Sequence, residues 1–121
     1  MEKLKSLFTL IVDCVPPAYN WELDARFSTP FVQLDIDDSD PVKESMSRIF
    51  DNQWDNTTIG NATVLEKSLA RSLFGIEKEQ LLFTTVEDST LIFCAWWPWG
   101  SNSKVSLRIG YYSEEKKFFS S

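Results

Sequence analysis

Residues 81–112, LLFTTVEDSTLIFCAWWPWGSNSKVSLRIGYY, decide the fold. Apolar runs over 81–86, 90–97 and 104–112 are parted by turn signals at Glu87-Asp88-Ser89 and from Pro98 to Ser103, which predicts a three-strand antiparallel meander. The middle run, from Thr90 to Trp97, is apolar on both faces, so it is placed centrally in a sheet with cover on each side. Residues 104–112 alternate instead, with Val105, Leu107, Ile109 and Tyr111 read as inward and Lys104, Ser106 and Arg108 as outward.

Upstream, Tyr19, Trp21, Leu23, Ala25 and Phe27 alternate with Asn20, Glu22, Asp24 and Arg26, predicting a strand with one wet face. Ser28-Thr29-Pro30 supplies a turn, and Val32, Leu34 and Ile36 alternating with Gln33, Asp35 and Asp37 predict its antiparallel hairpin partner. Ser39 or Asp40 before Pro41 reads as a helix start, because a capping oxygen satisfies free backbone N–H groups and proline there loses no hydrogen bond. Val42, Met46, Ile49, Phe50 and Trp54 form the apolar stripe of that helix. Thr63 with Glu66 makes a capping box for another, carrying Leu65, Leu69 and Leu73 and ended by Gly75. At the N-terminus Leu4, Leu7, Phe8 and Ile11 fit a helix over 2–14 that Pro16-Pro17 terminates, although 7–15 taken alone also fits a buried strand. Residues 114–121 read as a short charged tail. The expected fold is α+β: a single domain over residues 1–121, in the order α β β α α β β β, with an antiparallel sheet of about five strands and two or three helices packed on it.

A chain of 121 residues that is 43% apolar and 14% aromatic can build a core without staples. Cys14 and Cys94 sit in apolar runs, which favours two buried free thiols in a reducing compartment over a single disulfide. No run approaches the roughly 20 apolar residues of a membrane span, so the expected location is cytoplasmic.

The net charge of −6 lies entirely in residues 22–55, where nine acids face three bases; the rest of the chain is balanced. There is no histidine, which removes histidine-activated nucleophiles and most zinc and iron sites. The four glycines form no phosphate-cradling loop. Asp35-Ile-Asp37-Asp38-Ser39 resembles the D-x-D-x-[ST] signature of haloacid-dehalogenase phosphotransferases over five residues, but the α+β order does not match the larger doubly wound domain of that family. The same acids fit no calcium loop, since Asp40 stands where glycine is needed and Met46 where glutamate is needed.

The chain is therefore expected to be no enzyme and to take no cofactor. An acidic segment attracts basic surfaces and repels nucleic acid, so the expected partner is a basic protein. In size, acidity and lack of catalytic motifs the chain has the character of immunity proteins, stoichiometric inhibitors that cover the basic active site of a nuclease toxin. On that reading Asp35, Asp37, Asp38, Asp40, Asp51 and Asp55 supply charge, and Trp54 or Trp99 supplies a buried anchor. The other readings are a mimic of nucleic-acid charge that blocks a defence protein, and a small carboxylate-only enzyme or ligand-binding domain. The plainest alternative is that the acids merely solubilise a strand face and stabilise a helix start.

Overall fold

The meander forms the middle of a larger sheet in the computed structural model, which describes residues 2–119. In chain order the elements are α1 (Glu2–Cys14), β1 (Glu22–Asp24), β2 (Thr29–Asp35), α2 (Ser39–Ile49), β3 (Asn52–Trp54), α3 (Val64–Ser72), β4 (Leu81–Glu87), β5 (Thr90–Pro98), β6 (Lys104–Ser113) and β7 (Lys117–Phe119). The strands pair antiparallel in the order β1-β2-β6-β5-β4-β3, with β7 on the far end of β6. The architecture is α+β, and α1 is helical from Glu2 to Cys14 as expected.

Both faces of the sheet are covered, and β5 shows it most clearly. Leu91, Ile92, Phe93, Cys94 and Ala95 are all at 0% exposure, so alternate residues feed opposite cores. Ile92 and Cys94 join Leu4, Ile11, Val42 and Met46 of α1 and α2 on one side. Leu91, Phe93 and Ala95 join Leu69 and Leu73 of the α3 region on the other. Cys94 is a free thiol that burial pushes above its ordinary pKa.

The sheet has seven strands rather than about five, because two three-residue strands escaped the periodicity. The first, β3, occupies residues read as the end of α2; the helix stops at Ile49 and Phe50 turns extended, at φ −85° and ψ 147°. The second, β7, replaces the expected charged tail: Phe118 packs edge-on against Phe27, Phe93 and Tyr112 on one face, while Phe119 stacks on Tyr111 on the other. Three residues are too few to show an alternation, but two aromatics on opposite faces suffice to hold them.

The first hairpin also differs. Only Glu22–Asp24 of the expected strand over 19–27 pairs with β2, and its facing is reversed: Leu23 is 72% exposed, while Asp24 turns inward. Arg108, expected outward, is only 6% exposed and explains the reversal, since its Nη1 lies 2.8 Å from Asp24 Oδ2. Alternation assigns a side chain to a side of the sheet; it does not say whether that side is wet.

Helix α3 begins with the expected capping box, in which Thr63 and Glu66 exchange hydrogen bonds. Its end is unexpected. Gly75 N–H donates to Ala70 O and Phe74 N–H to Arg71 O, a Schellman pattern that puts Phe74, at φ 68°, in the left-handed position where glycine is usual. A side chain there costs about 1–2 kcal/mol.

Gly110 marks a close approach between β2 and β6. A Cβ added there would sit 2.7 Å from Thr29 Cγ2 and 3.2 Å from Phe93 Cε1, both in buried residues. Gly110→Ala is expected to cost about 1–3 kcal/mol by overpacking, seen as a lower urea midpoint with an unchanged slope.

Candidate functional site

The acids cluster where β2 gives way to α2. A 3-10 turn over Ile36–Asp38 leads directly into the helix, so neither Ser39 nor Asp40 is its cap; both lie inside it, and Ser39 Oγ donates to Ile36 O. Pro41 falls within the first turn, where backbone nitrogens have no intrahelical partner. The cap residue is Asp38, whose side chain makes no capping bond because it is held by Tyr19, the phenol donating to Asp38 Oδ2 at 2.5 Å. That bond raises the Tyr19 pKa. Tyr19 Oη in turn accepts the Asp35 N–H at 3.1 Å, tying the linker after α1 to the start of α2.

The predicted site residues divide by what already occupies them. Asp35 is paired with Lys104 at 2.8 Å, and that partner holds its carboxyl below the ordinary range. Asp55 closes a turn: Thr57 and Thr58 donate backbone and hydroxyl groups to its Oδ1 at 2.7–3.1 Å, and these bonds lower its pKa. Asp37 and Asp40 are exposed and make none of these contacts. Asp51 is exposed too, but its backbone N–H is fixed to Thr85 Oγ1. Because β3 pairs Asn52 with Thr84 and Trp54 with Leu82, Asp51 and Asp55 flank opposite ends of that strand. The six aspartates are therefore not one patch.

The two tryptophans separate as well. Trp54 is half-buried on β3, and its indole N–H donates to Glu66 at 2.7 Å; it belongs to the scaffold and is no displayed anchor. Trp99 is 41% exposed at the tip of the β5–β6 hairpin, with its indole N–H on Ser106 Oγ at 3.0 Å.

Asp40 and Asp55 do converge. They line a cavity of about 380 Å³ at one end of the sheet, together with Glu79, which precedes β4, and the base Lys43. Trp96, Pro98 and Leu81 add apolar wall. Sequence reading missed Glu79 and Lys43, and no local signal marks them, because three separated segments meet only through the sheet.

Among the described residues five carboxyls have displaced pKa values, and all five move down: Asp24, Asp35, Asp55, Glu66 and Glu114. A carboxyl tuned to donate a proton near neutrality is displaced upward. Asp35, Asp37, Asp38 and Asp40 do not gather as a cation would require, and among the described residues no three His, Cys, Asp or Glu side chains do. Among those residues, too, no helix is long and apolar enough to cross a membrane. Comparison of the chain with protein-family models, curated proteins and solved structures returns no match.

Proposed function

We propose that the protein is a non-catalytic inhibitor that docks a basic protein partner, of the kind in which an immunity protein covers the active site of a nuclease toxin. The supporting observation is the cavity at the sheet end, where Asp40, Asp55 and Glu79 face a single base, Lys43, over apolar walls. Asp40, Glu79 and the second oxygen of Asp55, around a pocket that is half apolar, suit the charged head and aliphatic stem of a partner's lysine or arginine. Asp37 and Asp40, free of the contacts that occupy Asp35, Asp38 and Asp55, are the acids best able to steer such a partner.

Affinity capture from the native host at low and high salt tests this reading. The native chain is expected to recover a basic protein in a salt-sensitive manner, and Asp37→Lys with Asp40→Lys to reduce recovery roughly tenfold or more. Both positions are exposed, so the fold should survive the change. Equal recovery by native and doubly reversed chains would remove the electrostatic basis of the proposal.

A further inference from the structure

We propose that a second site, on the face of the sheet opposite the acidic cavity, binds a carboxylate carried on a flat apolar group. Trp96 and Trp97 point to opposite sides of β5; Trp96 lines the acidic cavity, and Trp97 lines a second cavity of about 200 Å³ beside the end of α3, with Gln80 shared between the two. Arg26, Phe74, Glu77 and Gln80 share the lining of this second cavity. Drug-sized ligands occupy pockets of about 300–1,000 Å³, so the space suits a single ring or side chain.

Phe74 is the first reason to expect an occupant. It adopts a left-handed backbone at φ 68° yet leaves its side chain 75% exposed. The Schellman bonds that end α3 set that backbone, and the ring meets Phe27 only edge-on at a centroid separation of 6.0 Å, so packing leaves most of the side chain uncovered. The uncovered ring is an aromatic wall of the cavity.

Arg26 is the second. Its guanidinium lies 4.5 Å from the ring centroid of Phe27 and 5.5 Å from that of Phe74, and among the described residues it forms no ion pair. Rings engage the flat sides of a guanidinium, while its N–H donors lie in the plane and match the two oxygens of a carboxylate. The guanidinium of Arg108 lies 5.0 Å from the Trp97 ring but does not line the cavity. Asp24 pairs with Arg108, and none of the ion pairs among the described residues holds Arg26. Glu77, on the lining, opposes an anion and sets the sign of a diagnostic variant.

The test is a titration of the full chain followed by nitrogen-edited NMR at the Trp97 indole and the Phe74 and Gly75 amides. Benzoate represents a free ligand, and N-acetylphenylalanine the C-terminal residue of a polypeptide. Saturable shifts at those three positions are expected from at least one acid and none from benzyl alcohol; the tighter acid identifies the source. Arg26→Gln should weaken binding roughly tenfold or more, and Glu77→Gln should tighten it at low salt. Both side chains are exposed, so amide spectra of the variants should otherwise match the native chain. Absence of saturation with both acids, or undiminished binding by Arg26→Gln in a folded chain, would overturn the proposal.

Discussion

Asp24→Asn is expected to destabilise the protein by about 3 kcal/mol, at the lower end for a broken buried ion pair because Asp24 keeps some solvent contact. The side chains of Arg108 and Asp24 are 7% and 20% exposed, and their charged atoms are 2.8 Å apart. Phe27, Phe31 and Trp97 surround the guanidinium at 4.8–5.5 Å from their ring centroids, and Thr29 Oγ1 is a distant 3.4 Å from Nη1. Asparagine keeps the shape and removes the charge, leaving a cation among aromatic rings that stabilise it only in part. The double replacement Asp24→Leu with Arg108→Met removes both charges and should recover most of the loss. Urea unfolding of the three chains decides the matter: a loss below about 1 kcal/mol in the single variant would mean that the rings and residual water suffice.

Glu66→Ala should cost about 3–4 kcal/mol, more than a lost cap alone, which is worth about 1 kcal/mol. Glu66 is 1% exposed, and its carboxylate is filled from every side. Oε1 accepts the Thr63 N–H at 3.0 Å and its hydroxyl at 2.8 Å, while Oε2 accepts the Trp54 indole and the Thr84 hydroxyl. Removing the acceptor strands buried donors, each at about 1–3 kcal/mol. Glu66→Gln should recover little, because in either orientation its amide nitrogen would face a group that can only donate, the Trp54 indole N–H or the Thr63 backbone N–H.

Acid should expose the same dependence. Burial alone would raise the Glu66 carboxyl, but hydrogen bonds from Thr84, Thr63 and Trp54 outweigh it and hold the pKa below the ordinary value. A folded pKa below the unfolded value of about 4.3 means that the contribution is complete above about pH 5 and fades as pH falls through the folded value. Stability measured from neutrality down through that window should therefore fall less steeply in Glu66→Ala than in the native chain.

How much was legible depended on the reach of each signal. The central position of β5 was readable because five consecutive apolar residues need two covered faces. The Thr63–Glu66 box was readable because its partners are three residues apart. The wider role of Glu66 was not, since Trp54 and Thr84 lie 12 and 18 residues away. Arg108 and Asp24, 84 residues apart, were both read as wet because alternation gives the side and not its cover. Of the candidate site, the acidic segment was visible from composition, but its division into occupied and available carboxylates was not. Asp38 is claimed by Tyr19 and Asp35 by Lys104, contacts that exist only once the sheet has formed.

The placement of β2 beside β6 also orders events in time. Asp35 and Lys104 face each other across 69 positions, so β2 leaves the ribosome long before the strand that completes its ladder. The loop joining them is costly to close and closes late, whereas β4, β5 and β6 follow one another through short connections. A nascent chain thus carries its most highly charged segment, which contains β2, in a waiting state. There the negative charge of residues 22–55 would oppose pairing between the open strand edges of neighbouring chains until the C-terminal half is made.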